Sequence, residues 1–137
     1  MTLRSRSKLS APNLAGCSDL PECCPPKPAL IKRPLLSLAS AGELSGVFKI
    51  LANGSRLRLL HALARACEMP VGVLAEATNM TPQAVSNQLQ RLALGGIVGA
   101  RREGNKIYYR MIDPCVLELL DKGLCLAEDA RERRRRK

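Results

Sequence analysis

The sequence contains no tryptophan, one phenylalanine, Phe48, and two tyrosines, Tyr108 and Tyr109. Its interior must therefore be aliphatic, which favours packed helices over an aromatic-rich sheet. Histidine is almost as scarce. His61 stands alone, with no nucleophile–base pair and no phosphate-binding glycine loop visible in the sequence, so the usual equipment of an enzyme is missing. No apolar run approaches the roughly 20 residues that a bilayer-crossing helix needs; the most apolar windows are 35–41 and 57–63. The basic start (Arg4, Arg6, Lys8) is not followed by the apolar stretch of a signal peptide. These absences predict a soluble, cytoplasmic protein that is not an enzyme and makes no membrane contact, with its cysteines held as thiols in a reducing compartment. No Cys-x-x-Cys pair occurs, which argues against a structural zinc site of the common paired spacing.

Positive charge is abundant by contrast. The net charge is +10 over 137 residues, and residues 131–137 (RERRRRK) hold six cations and one acid. Residues 79–112 hold five cations and one acid. Two basic surfaces thus flank a nearly neutral scaffold, and a basic patch on a recognition element most often meets phosphate. The final run can equally be a solvated tail.

Residues 1–34 carry six of the nine prolines and three of the six cysteines without helical or strand periodicity, so residues 1–36 are expected to form a flexible arm. A domain is expected over 37–130 and a basic tail over 131–137. Apolar spacing predicts a first helix from about Ser37 to Leu51 (Leu44, Val47, Phe48, Leu51), ended by Asn53-Gly54. A second helix follows over Ser55 to Ala66, with Leu57, Leu60 and Ala64 in its stripe, Leu59 and Leu63 alongside, and Asn53 as its cap. Pro70 to Thr78 makes a short third helix. Asn79-Met80 is a turn, and Thr81-Pro82 opens a helix running to about Leu94, stopped by Gly95-Gly96. Two strands, Ile97 to Glu103 and Lys106 to Met111, meet at Gly104-Asn105, both residues being suited to positive φ. Asp113-Pro114 begins a last helix with Val116, Leu117, Leu120 and Leu124 on one face.

The stretch from Val71 to Ile112 therefore reads as short helix, turn, polar-faced helix and basic hairpin. That order is the layout of a winged helix-turn-helix, a mostly α fold of about five helices with a β-hairpin wing, built to place one helix in the major groove. On the fourth helix the inner stripe is Val85, Leu89 and Leu92, which leaves Gln83, Ser86, Asn87, Gln90 and Arg91 outward with Thr81 at the start. Amides pair with adenine, guanidinium with guanine or phosphate, and hydroxyls with either. The wing adds Arg101, Arg102 and Lys106 near its tip.

In LANGSRLRLLHAL at 51–63, TPQAVSNQLQRL at 81–92 with GGIV following, and RREGNKIYYR at 101–110, the chain resembles the ArsR/SmtB metalloregulators over about Leu44 to Ala127. The resemblance implies a dimeric winged-helix repressor that leaves its operator when a metal or metalloid ion binds, with no permanent cofactor. It also implies a homodimer joined by the first and last helices, which would cover an apolar face that an isolated chain leaves exposed, and which would set two recognition helices on a two-fold operator.

Six cysteines without histidine partners favour soft ions such as arsenite, antimonite, cadmium, lead or mercuric ion. Pro21-Glu22-Cys23-Cys24 and Cys67 are similar to the arrangement in the family's arsenite sensors, where two adjacent arm cysteines join one near the end of the second helix. That likeness implies a site of Cys23, Cys24 and Cys67, with Cys17 as a further ligand. Three thiolates suit pyramidal As(III) or Sb(III); a fourth suits Cd(II) or Pb(II), with Hg(II) a further candidate. The family's cadmium and lead sensors carry Cys-Val-Cys on the third helix, where this chain has Pro70 and Gly72. Its zinc sensors need histidine on the last helix, and Asp113 to Glu128 has none. Cys115 and Cys125 lie ten residues apart, about 15 Å along one helix, so one chain cannot bring both to one ion. They are either small buried side chains or ligands across a dimer. Two other readings stay open: a repressor switched by thiol oxidation or reactive sulfur, and a constitutive DNA-binding protein. Against reactive sulfur, His61 occupies the second-helix position where such relatives carry a cysteine.

Overall fold

Side-chain caps set most of the helix starts. In the computed structural model, which describes residues 26–137, an exposed 3-10 turn at Leu30–Lys32 precedes α1 (Leu38–Leu51), whose cap Ser37 accepts a hydrogen bond from the Ser40 N–H at 3.1 Å. Asn53 caps α2 (Gly54–Ala66) by accepting from the Arg56 N–H at 3.1 Å. Strand β1 (Glu68–Pro70) follows, and Pro70 leads directly into α3 (Val71–Thr78). That helix stops at Asn79 in the left-handed region (φ 58°, ψ 43°), a conformation asparagine tolerates better than most residues. Thr81 caps α4 (Pro82–Leu94), its hydroxyl accepting from the Ala84 N–H at 3.1 Å, with Pro82 where a missing N–H costs nothing. After β2 (Val98–Glu103) and β3 (Lys106–Met111), Asp113 caps α5 (Pro114–Arg135) through the Cys115 N–H at 2.9 Å.

The sheet corrects two expectations. It has three antiparallel strands in the order β1-β3-β2 where two were expected. The added strand pairs Glu68 with Arg110, Met69 with Tyr109 and Pro70 with Tyr108, and its edge position is one a proline can occupy. At the hairpin tip Glu103 pairs with Lys106, leaving the two-residue loop Gly104-Asn105. Gly104 alone takes a positive φ, 63°; glycine first and an ordinary φ second is the II′ pattern, whose twist suits the flanking strands.

Leu59, Leu60, Leu63, Leu74, Val85, Leu89, Leu92 and Val98 are fully buried, and Met69, Tyr109 and Met111 seat one face of the sheet on them. Each such leucine is worth roughly 1.5–3 kcal/mol relative to exposure. Leu57 stands 38% exposed, so the inner stripe of α2 runs through Leu59, Leu60, Leu63 and Ala66. On α1 only Leu51 is buried, while Leu44, Val47 and Phe48 are open. On α5 Val116 is buried, Leu117 and Leu120 are half-buried and Leu124 is exposed. The basic run at 131–137 is not a separate element: the helix continues through Arg135, as good helix formers with cations near a C-terminus allow. No helix among the described residues is long and apolar enough to cross a membrane.

Candidate nucleic-acid interface and sensor cysteines

Helix α4 turns its apolar stripe into the core and its polar residues out. Val85, Leu89 and Leu92 are completely buried, which fixes the rotation of the helix, and Thr81, Gln83, Asn87, Gln90 and Arg91 emerge exposed with Ser86 half-buried. Gln83 Nε2 donates to Asn87 Oδ1 at 3.1 Å, so two amides one turn apart hold each other in place. Such a pair presents donors and acceptors of the kind that read adenine.

Two arginines lock this helix to its surroundings. Arg56 Nε donates to Gln88 Oε1 at 2.7 Å, and the same guanidinium reaches the Ile50 carbonyl at 2.9 Å, tying α4 to the end of α1. Arg58 donates to the Thr78 carbonyl at 2.8 Å, at the C-terminal end of α3 where a cation is favoured. Neither the Arg56–Gln88 bond nor the Arg58–Thr78 bond shows in local spacing, because the partners are 32 and 20 residues apart. His61 is exposed on α2 and borders a pocket of about 200 Å³ with Arg58 and Arg65; among the described residues no carboxylate or thiol lines it.

The wing separates its cations into two kinds. Alternation along β3 puts Tyr109 and Met111 on the core side and Tyr108 and Arg110 on the outer side. Arg101 shares that outer side and is held by Glu68 at 2.6 Å and Glu103 at 2.7 Å. Its guanidinium lies 4.7 Å from the centre of the Tyr108 ring. Hydrogen bonds from Arg101 hold the Glu68 carboxyl below its usual range against a small opposing burial, and the charges of Arg101 and Arg110 add to the effect. The pairing in turn raises the Arg101 pKa. Arg102 and Lys106 are exposed and make no ion pair among the described residues. Arg110, absent from the sequence-derived set, is a third exposed wing cation without an ion pair among the described residues; alternation with the buried Tyr109 is the signal that marks it.

Of the predicted sulfur ligands, Cys17, Cys23 and Cys24 lie outside the described residues. Cys67 is the residue that ends α2, half-buried, its N–H donating to the Leu63 carbonyl at 2.8 Å and its backbone at φ 72°, ψ −47°. It is disulfide-bonded, and neither Cys115 nor Cys125 is its partner. Cys115 is half-buried in the first turn of α5 and Cys125 is exposed farther along the same helix. Among the described residues no group of three or more His, Cys, Asp or Glu side chains is placed to hold a metal ion. The residue after Cys67, Glu68, is the first of β1, so this cysteine sits at the root of the wing sheet.

Known proteins share this arrangement. A helix-turn-helix domain family model matches residues 51–98. A SmtB-homologue transcriptional repressor from Synechocystis is 36% identical over 120 residues, spanning 84% of this chain and 90% of the relative. The chain belongs to the ArsR/SmtB family. Among further members, the NmtR transcriptional regulator of Mycobacterium tuberculosis is 40% identical over 93 residues, covering 68% of this chain and 77% of that protein. The crystal structure of AntR, described as an antimony-specific transcriptional repressor, superposes with a TM-score of 0.69 at 56% identity, covering 80% of this chain and 99% of that one. A homodimeric winged helix-turn-helix DNA-binding domain from Mycobacterium bovis superposes at 0.61 with 38% identity, covering 74% of this chain and 95% of that one. This ArsR/SmtB chain is accordingly a winged helix-turn-helix metalloregulator, of five helices and a small three-stranded sheet.

Proposed function

We propose that this protein is a homodimeric repressor of the bacterial cytosol that binds operator DNA and is released by a thiophilic metalloid ion, with antimonite and arsenite favoured over cadmium, lead and mercuric ion. Thr81, Gln83, Ser86, Asn87, Gln90 and Arg91 read or grip the duplex from α4. Arg102 and Lys106 add phosphate contacts from the wing, and Arg101 joins them when its acidic partners let go. Residues 1–36 act as an arm that supplies Cys23 and Cys24, with Cys17 in reserve, to complete a site with Cys67.

The observation that carries this reading is the place of Cys67. The residue is one peptide bond from the edge strand hydrogen-bonded into the wing sheet, so in the reduced protein an ion that pulls on its sulfur pulls on the DNA-binding surface. Soft trivalent ions suit three thiolates, and the likeness to an antimony-specific repressor favours that class. The homodimer reading is supported by the open apolar side chains of α1 (Leu44, Val47, Phe48) and by Leu124 on α5. A dimer whose geometry changes on ion capture couples the two ligands in opposition, because each favours a different state.

One observation favours a second reading. Cys67 is disulfide-bonded, which is what a thiol-redox repressor would use. Fluorescence anisotropy on the chain's own upstream DNA separates the two. Reduced protein released by antimonite or arsenite but not by zinc, with release lost in Cys67→Ser and Cys23→Ser, is the expected result. Release by oxidant, reversed by dithiothreitol and indifferent to metalloids, would instead make the protein a redox switch. Tight binding unmoved by either would leave a constitutive DNA-binding protein.

A further inference from the structure

The last turns of α5 carry a positive charge that, among the described residues, only Glu132 offsets by an ion pair. Arg131, Arg133, Arg134, Arg135, Arg136 and Lys137 are exposed, and Glu132 is the one acid among them. Arg136 reaches Glu132 at 3.9 Å; Arg131, Arg133, Arg134 and Arg135 make no ion pair among the described residues. At 3.6 residues per turn these cations surround the helix instead of lining one face. Arg131 with Arg135 is a like-charged i,i+4 pair, which opposes the helix. The helix is formed there nonetheless, and from Asp121 to Asp129 every residue is exposed. The cationic end therefore stands clear of the domain on a rod whose 22 residues span about 33 Å, close to one turn of a DNA duplex.

We propose that the arginine-rich end of α5 is a second DNA-contacting surface, gripping phosphates of the bound duplex outside the stretch read by α4 and the wing. Five of the six cations are arginine, whose planar fork meets phosphate oxygens in pairs. The run has no asparagine or glutamine to discriminate base edges, so it adds affinity without sequence preference. A ring of cations suits a phosphate backbone because it needs no particular rotation about the helix axis. Duplex DNA is the polyanion that the rest of the chain already brings close, which favours it over an acidic protein or a membrane. The inference rests on the DNA-binding part of the proposal alone and is independent of the inducer.

The test uses the full-length protein and two variants, one with Arg133, Arg134, Arg135 and Arg136 each replaced by Gln and one with the same four replaced by Lys. Anisotropy is recorded over a salt series on the shortest upstream duplex that retains binding and on the same duplex lengthened by one helical turn at each end, with circular dichroism confirming equal helix content. The parent and the Lys variant should bind the longer duplex more tightly and with a steeper salt dependence. The Gln variant should lose that gain, its slope on the longer duplex falling by roughly 0.9 for each phosphate contact given up. Superimposable curves for the parent and the Gln variant on both duplexes would overturn the proposal. So would an equal loss on both, which would put the contact inside the recognised site. Failure of the parent to bind any length of the upstream duplex would instead refute the DNA-binding reading itself.

Discussion

Arg101 on β2 crosses the ring of Tyr108 on β3 to clamp Glu68 on β1, with Nε donating at 2.9 Å to each carboxylate oxygen and a terminal nitrogen donating at 2.6 Å. One side chain thereby spans all three strands. Because Glu68 follows Cys67 directly, the clamp lies between the proposed sensor cysteine and a cation that could otherwise meet phosphate. Replacing Glu68 and Glu103 together by Gln removes both carboxylate charges that hold Arg101 and keeps their shapes. The expected outcome is tighter DNA binding with a salt slope steeper by roughly 0.9, one added phosphate contact. An unchanged slope would show that Arg101 serves only the sheet.

The same pair sets a pH dependence. Arg101 holds the folded-state pKa of Glu68 below its ordinary value of 4.5, so the unfolded chain takes up this proton first as pH falls. Stability from the pair is complete above the unfolded value and disappears as pH drops through the depressed folded value. The melting temperature of the parent minus that of Glu68→Gln should therefore stay constant from about pH 7 to about pH 5 and shrink below the ordinary carboxylate range. The difference is small, because the Arg101 side chain is 48% exposed and solvent screens it. A gap that widens on acidification would reverse the sign and refute the assignment.

Leu89 and Gln90 are neighbours on α4 with opposite duties. Leu89→Ala removes a fully buried side chain and should cost about 2–5 kcal/mol in denaturant unfolding. Gln90→Ala should leave unfolding within about 0.5 kcal/mol of the parent while weakening specific DNA binding by about 1–3 kcal/mol. If Gln90→Ala bound operator and random DNA with unchanged selectivity, Gln90 would not be a base reader.

Arg56 predicts a coupling. Its guanidinium serves both Gln88 and the Ile50 carbonyl in a part-buried setting, and a polar group stranded there costs about 1–3 kcal/mol. Arg56→Ala and Gln88→Ala should each destabilise the protein, and the double variant by less than their sum, with a coupling above about 0.5 kcal/mol in a double-mutant cycle. Strict additivity would mean that the bond does not hold α4 in place.

What was legible in the sequence was local. Asn53, Thr81-Pro82 and Asp113-Pro114 announce helix starts because a cap acts within three residues, and Val85, Leu89 and Leu92 mark an inner face by spacing alone. Strand β1 was missed because three residues ending in proline show no alternation, and their partners lie about forty residues on, in β3. Arg101 read as a contact at the wing tip because its acidic partner is 33 residues away. Gln88 drew no notice for the same reason, its arginine being 32 residues back. The stripe on α1 was read correctly as apolar, but spacing does not say what covers it, and Leu44, Val47 and Phe48 stay open in the single chain. The candidate sulfur site rested on likeness to the family, and only Cys67 of its four cysteines falls within the described residues.

Cys67 carries two demands that a pair of substitutions can separate. Its φ of 72° is a conformation that costs a residue with a Cβ about 1–3 kcal/mol and that glycine adopts freely. In reducing buffer Cys67→Gly relieves the strain and removes the thiol, while Cys67→Ser removes the thiol and keeps the strain. The glycine variant should therefore be more stable than the serine variant by about 1 kcal/mol, the relief being partly offset by the greater freedom of glycine in the unfolded chain. Both should still bind DNA, and neither should be released by antimonite. Two equally stable variants would mean that the backbone is not strained at this position. A glycine variant still released by the ion would move the sensor away from Cys67, and with it the route from sulfur to wing.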